Sequence, residues 1–170
     1  EKIMSEKINI LIVEDLPTDA GLCEREVRQV LPKSEFQCVE TEEDFVNALD
    51  TFQPHLILSD YSMPQFTGMR ALLIARERVP ETPFIILTGS MNEDTAVECM
   101  KAGAWDYVIK EHIRRLGPAV MAALEQKAVR QKARMAMEAL RDSEDLFRKL
   151  FENHSAIKLI IDQDTGNIID

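Results

Sequence analysis

The sequence predicts an α/β fold: a doubly wound parallel sheet of five strands, helices on both of its faces, and an extended helix after the last strand. Short β-branched apolar runs alternate with segments of helical periodicity through the first part of the chain, the pattern of strand-helix-strand units. The runs at 8–14, 56–60 and 84–88 are almost unbroken in apolar character, as strands buried on both faces require. Beyond about residue 113 the alternation stops and Ala, Met, Leu, Glu, Lys and Arg take over, strong helix formers with no proline after Pro118.

Each element has its own signal. "INILIVE" (8–14) reads as the first strand, and Ala20, Cys23, Val27 and Leu31 then recur on one helical face, with Pro17 near the helix start. "FQCVE" (36–40) is the second strand, followed by a helix with Phe45, Ala48, Leu49 and Phe52 on its apolar side. "LILSD" (56–60) is the third, and Met69, Leu72, Leu73 and Val79 mark the helix behind it. "FIILT" (84–88) is the fourth, with Ala96, Val97 and Met100 on a helix stopped by Gly103. "YVIK" (107–110) closes the sheet.

Composition bounds the function. A chain of 170 residues, 45% hydrophobic, buries one ordinary core with length to spare. Thirty Asp and Glu against 20 Lys and Arg leave a net charge of −10, which repels a phosphate backbone, so nucleic acid is not expected as a direct ligand. No apolar run reaches the roughly 18 residues a membrane helix needs, and "EKIMSEKINI" is too short and charged for a signal peptide. No membrane contact is expected of this segment, and the expected location is the cytoplasm. Cys23, Cys38 and Cys99 are odd in number, widely spaced and without a CxxC pair, which favours reduced, structural thiols over disulfide or zinc use.

In a doubly wound sheet all parallel strands point their C-terminal ends to one edge, where ligands bind. Those ends carry Glu14 and Asp15, Asp60, Thr88 with Gly89, and Lys110. Singly, each has a plain structural role: Asp15 as a cap for the helix near Pro17, Thr88 as a turn residue, Lys110 as a terminal lysine. Jointly that account weakens, because unpaired carboxylates brought together repel one another unless a cation intervenes. A hard divalent ion with oxygen ligands, Mg²⁺, relieves the repulsion. The same ion and Lys110 would neutralise a phosphoryl group attacked by a carboxylate, with the Thr88 hydroxyl donating to a phosphoryl oxygen and Gly89 letting backbone approach. The chemistry read from these residues is Mg²⁺-assisted phosphorylation of an aspartate.

Taken in order at strand ends, "VED" (13–15), "SDYSMP" (59–64), "LTGS" (87–90) and "YVIK" (107–110) closely resemble the receiver, or response-regulator, family of two-component signalling over residues 8–123. The resemblance implies a flavodoxin-like strand order 2-1-3-4-5. It also implies that Glu14 and Asp15 hold Mg²⁺ with Asp60 and the backbone carbonyl of Ser62. Asp60 is then the phosphoacceptor, Thr88 and Tyr107 the switch residues, Lys110 the phosphate partner, and a histidine kinase or histidine phosphotransfer protein the donor. The new charge would bias the face formed by the fourth helix, fifth strand and fifth helix. Such a receiver catalyses its own phosphorylation but is a switch rather than a conventional enzyme. One departure is visible: Glu111 follows Lys110 where the family usually has proline. A non-proline cis bond costs about 2.5–4 kcal/mol, so a trans peptide and an altered turn are predicted.

Beyond the receiver, Val129, Ala133, Ala136, Leu140, Ser143, Phe147 and Leu150 recur at alternating spacings of four and three, the rhythm of a coiled-coil seam. Two readings stand: a loose homodimer through this helix, or a solvated linker helix. "RDSEDLF" (141–147) also has the caps to begin a fresh helix at Asp142 or Ser143. The residues from Ser143 onward resemble the opening of a PAS (sensory box) domain, with a strand "AIKLIID", a turn at "QDTG" and a strand "NIID". The expected organisation is a lead at 1–7, the receiver at 8–123, a linker or coiled-coil helix at 124–142 and a truncated PAS start at 143–170. The parent implied is a PAS-containing sensor histidine kinase, with a cyclic-dinucleotide enzyme as the alternative.

Rival classes fit less well. An aspartate-nucleophile phosphatase wants a second Asp where Ser62 stands, and a flavin module wants a Ser, Thr and Gly loop where "EDLPTDAG" places acids. An inactive receiver kept as a dimerising scaffold remains, although the set Asp15, Asp60, Thr88 and Lys110 is intact.

Overall fold

In a computed structural model of the chain, the described residues are 7–89, 93–153, 160–161 and 168–169. They fold as β1 (Asn9–Val13), α1 (Pro17–Val30), β2 (Glu35–Val39), α2 (Glu42–Thr51), β3 (Leu56–Asp60), α3 (Gly68–Arg78), β4 (Phe84–Thr88), α4 (Glu93–Ala102) and β5 (Asp106–Ile109). A 3₁₀ turn (Lys110–Arg115), the helix α5 (Leu116–Asn153) and two short strands, β6 (Ile160–Ile161) and β7 (Ile168–Ile169), follow. The chain divides into two compact units, Glu1–Arg130 and Gln131–Asp170.

The first unit contains the expected sheet, all parallel, in the order β2-β1-β3-β4-β5. The central strands show why their sequences run apolar without a break. Alternate side chains leave a strand on opposite faces, and here both faces are covered. Ile10, Ile12, Leu56, Leu58, Ile85 and Leu87 pack with Cys23 and Val27 of α1 and Leu116 and Val120 of α5. Leu11, Val13, Ile57, Phe84 and Ile86 pack with Phe45 and Leu49 of α2, Leu72 and Ala75 of α3, and Cys99 of α4. Every residue of β3, up to and including Asp60, is buried.

Some expected helix faces are rotated. α3 buries Ala71, Leu72, Ile74 and Ala75, leaving Leu73 half in solvent. In α4 the buried residue is Cys99, while Val97 and Met100 are exposed. Ala71 and Ala75 are small enough to meet the sheet directly, so the contact line runs through them rather than through the bulkier neighbour. Asp15 does not cap α1: the N-cap is Leu16, without a side-chain cap bond, and Pro17 opens the helix where its missing N–H costs nothing. The thiols are free, with Cys23 and Cys99 buried and Cys38 exposed. Burial foremost, then the nearby Glu14 carboxylate, pushes Cys23 up to about 12, which makes it an inert packing residue.

At the β5 end the described residues contain no cis peptide, and the altered turn is the 3₁₀ segment, in which His112 departs from helical geometry (φ −112°, ψ 38°). In the second unit α5 continues through Asp142 and Ser143, so no new helix starts there. Ser143 and Asp142 remain exposed in an unbroken helix, as their neighbours are, because no turn residue stands beside them to end it. β6 and β7 pair antiparallel, Ile160 with Ile169 and Ile161 with Ile168, in the sense a hairpin requires. The expected turn at 163–166 lies outside the described residues.

Gly68 pins the loop after β3. A Cβ there would stand 2.4 Å from the carbonyl oxygen of Asp60 and 2.8 Å from Cα of Tyr61, both backbone atoms that cannot swing aside. Gly68→Ala is therefore expected to destabilise the fold by about 1–3 kcal/mol or more, the range for overpacking. Gly21→Ala, at a helix position with nothing within 4 Å of the added methyl, should stabilise it by about 0.5–1 kcal/mol. Urea midpoints that move in the same direction for both would contradict this.

Candidate functional site

Three chain segments deliver the site to the C-terminal edge of the sheet. Val13 pairs with Ser59, which sets Glu14 and Asp15 beside Asp60 on neighbouring strands. Asp60 is opposite Leu87, and Tyr61 donates its N–H to the Leu87 carbonyl at 2.8 Å, so the end of β3 is held against β4. β5 then carries Lys110 to the same edge.

Glu14, Asp15 and Asp60 each place a carboxylate oxygen within 4.8 Å of the other two. Glu14 and Asp60 are only 1% and 6% exposed, so two of the three charges are almost without solvent. Lys110 is the counter-charge. Its Nζ lies 2.7 Å from Glu14 Oε2, 2.7 Å from Asp19 Oδ2 and 3.1 Å from Asp60 Oδ2. The backbone adds two donors: Leu16 N–H to Glu14 Oε1 at 3.1 Å and, at 3.4 Å, Ser62 N–H to Asp60 Oδ1.

The protonation equilibria follow from this packing. Burial raises the Glu14 carboxyl above its usual range, and the Lys110 and Leu16 hydrogen bonds recover only part of that shift. For Lys110, burial works against the charged form, but the hydrogen bonds to Asp19, Glu14 and Asp60 together outweigh it and hold the ammonium above the ordinary lysine range.

The structure brings together Glu14, Asp15, Asp60 and Lys110, as expected. Ser62 is adjacent through its backbone. Thr88, half-buried, ends β4 beside the site, and Gly89 follows it with open space where a side chain would stand. Tyr107 lies on β5 opposite Ile86 and lines an open depression of about 610 Å³ with Ala96, Val97, Met100 and Lys101. Asp19 was not among the expected residues, although a signal for it existed: it lies four residues after Asp15, in the first turn of α1. The donor set also suits a hard divalent ion. It consists of carboxylate oxygens alone, close enough to share one cation, with no imidazole or thiolate among the three ligating groups.

Fold and site together define a class, and sequence comparison agrees. The response regulator receiver domain model matches residues 10–125, and the chain belongs to that family. It is 30% identical over 141 residues to the regulatory protein AtoC of Escherichia coli, covering 79% of this chain and 29% of AtoC. It is 39% identical over 72 residues to LuxO of Vibrio cholerae, covering 42% of this chain and 16% of LuxO. The chain thus spans less than a third of either relative. Among solved structures, the signal receiver domain of a LuxO repressor protein from Vibrio parahaemolyticus superposes with a TM-score of 0.67 at 26% identity, covering 75% of this chain and 98% of that one. A BeF₃-activated receiver domain of DrrB, a Thermotoga maritima protein, gives 0.62 at 26% identity, over 71% and 99% of the two chains. Receiver domains are phosphorylated by histidine kinases or phosphotransfer proteins and generally bind Mg²⁺ at an acidic cluster; this chain has an acidic group of Glu14, Asp15 and Asp60 at the corresponding sheet edge. Among the described residues no helix is long and apolar enough to cross a membrane.

The raised Glu14 has a measurable consequence. Because its folded-state carboxyl holds a proton more tightly than in the unfolded chain, its contribution to stability is fully present below 4.5 and is lost as pH rises through the folded value. The metal-free protein should draw added urea resistance from Glu14 as pH falls through the raised folded-state value toward 4.5, and Glu14→Gln should remove that part of the profile. Parallel profiles for the two proteins would show that Glu14 carries no such linkage.

Proposed function

We propose that Asp60 is the phosphoacceptor of a two-component phosphorelay and takes its phosphoryl group from a phosphohistidine of a histidine kinase or phosphotransfer protein. The observation that carries this reading is the 3.1 Å approach of the Lys110 ammonium to a buried Asp60 carboxylate that shares an oxygen cluster with Glu14 and Asp15. An Asp60 oxygen attacks phosphorus, the P–N bond of phosphohistidine breaks, and its electron pair leaves with the imidazole nitrogen, which then takes a proton. Lys110 bonds a phosphoryl oxygen as charge moves onto the transferring group. Mg²⁺, when bound, supplies charge neutralisation for the phosphoryl oxygens. Glu14, Asp15, Asp60 and the Ser62 carbonyl are the groups that would hold it. The Thr88 hydroxyl donates to another phosphoryl oxygen, Gly89 leaves room for backbone N–H contact, and Tyr107 follows Thr88 as the second switch group. Their movement biases the face formed by α4, β5 and α5.

The output leaves along α5. Val129, Ala133, Ala136, Leu140, Ser143, Phe147 and Leu150 are exposed along it, as are their neighbours over 129–151, and the large apolar members of this seam, Val129, Leu140, Phe147 and Leu150, are what supports a loose homodimer. The antiparallel β6–β7 pair after the helix supports reading 143–170 as the start of a PAS domain, in a cytoplasmic parent of the sensor histidine kinase type. In this organisation 8–123 is the receiver and 124–142 the linker helix.

Incubation with acetyl phosphate and Mg²⁺ should add one phosphoryl group by intact mass, and Asp60→Asn should abolish the gain. A wild-type chain that takes up no adduct, or an Asp60→Asn variant that takes up the same adduct, would end the phosphoacceptor reading. For the seam, light scattering of wild type is expected to give the mass of a dimer, and Leu140→Glu, which buries two like charges at one level, should return a monomer; a monomeric wild type rules the dimer out.

A further inference from the structure

We infer that Asp19 is a positioning residue for Lys110: it anchors one N–H of the ammonium so that another is aimed at the phosphoryl group on Asp60. This rests on the reading of Asp60 as phosphoacceptor and adds a role for a residue outside the acid cluster.

A lysine ammonium has three N–H donors and a flexible four-carbon stem, so its direction is undefined until its donors are occupied. Here three carboxylates surround it, at 2.7 Å for Glu14, 2.7 Å for Asp19 and 3.1 Å for Asp60. The two short contacts are held from one side of the site, by the residue after β1 and by the first turn of α1. That turn is itself fixed, with Pro17 at its start and the Asp19 N–H donated to the Leu16 carbonyl at 3.1 Å. The longest contact, to Asp60, is the one a phosphoryl oxygen would take over. The other two donors then stay where they are.

Glu14 and Asp19 are not equivalent anchors. Glu14 belongs to the group of carboxylates close enough to share a cation, and so does Asp60. Among the three partners of Lys110, Asp19 alone lies outside that group, so its bond to the ammonium is free of the competing demand of a metal. An acid in the first turn of a helix also favours the helix dipole. That role explains the residue type but not a 2.7 Å contact with the lysine of another element.

The proposal separates from simple charge effects by sign. Removing a negative charge near Asp60 should, through space, favour binding of an anion there. Removing an anchor should weaken it. The experiment is a titration of beryllofluoride at saturating Mg²⁺, followed by fluorine NMR, for wild type, Asp19→Asn, Lys110→Met and the double variant. Asp19→Asn is expected to bind about fivefold more weakly than wild type or worse, because an amide oxygen holds the ammonium less strongly than a carboxylate does. The same substitution should cause no weakening in the Lys110→Met background. Unchanged or tighter binding by Asp19→Asn, or an equal weakening in both backgrounds, would overturn the inference while leaving Asp60 as phosphoacceptor. A wild type that binds no beryllofluoride would instead remove the reading beneath it.

A second measurement uses no ligand. In urea denaturation of the metal-free protein, Asp19→Asn should shift the midpoint much less when Lys110 is already Met. A helix-terminus role alone would shift it equally in both, and that result would also overturn the inference.

Discussion

The structure depends on one ion cluster: a single ammonium set among carboxylates that the topology forces together. Parallel strands end at a common edge, and here β1 and β3 end in acids. Glu14 and Asp60 are nearly without solvent, so their repulsion is screened little and must be met by a positive charge. Lys110 provides it from β5, on the far side of β4. The apolar core is what makes the arrangement rigid. Leu56, Ile57 and Leu58 are fully buried between two layers of helices, so Asp60 cannot withdraw from its neighbours by moving its strand.

The cluster is also a stored imbalance. One ammonium faces four carboxylates, counting Asp15, and the raised Glu14 carboxyl shows that Lys110 and backbone donors do not compensate its burial. A divalent ion or a redistribution of protons relieves this, and attachment of a phosphoryl group changes it again. A change of one or two charges at this edge therefore acts directly on the interactions among Glu14, Asp15, Asp60 and Lys110.

Much of this was legible in the sequence, for physical reasons that can be located. Strand order and layering followed because central strands buried on both faces cannot hide their composition, and Ile10 to Val13 and Leu56 to Leu58 are apolar at every position. The convergence of Glu14, Asp15, Asp60 and Lys110 followed from the geometry of parallel strand ends. What escaped was local. Leu73, Val97 and Met100 fit a helical period yet face outward, since periodicity gives the spacing of an apolar stripe but not which small residue lets the helix approach the sheet. Asp19 escaped because a helix first turn is a common place for an acid, and only the position of Lys110 gives it a further partner. Asp142 and Ser143 have cap chemistry, but without a helix stop before them the helix simply runs on.

Gly68 makes the surroundings of Asp60 unequal. On one side the backbone of Asp60 and Tyr61 lies where a side chain at residue 68 would stand, so only glycine fits, and its N–H is bonded to the Tyr61 carbonyl at 3.1 Å. On the other side β4 and β5 lead to Tyr107 and an open depression bordered by α4. The end of β3 is thus bordered by close backbone packing on one side, while open volume lies beyond β5 on the other. The close packing on that first side rests on the absence of one methyl group.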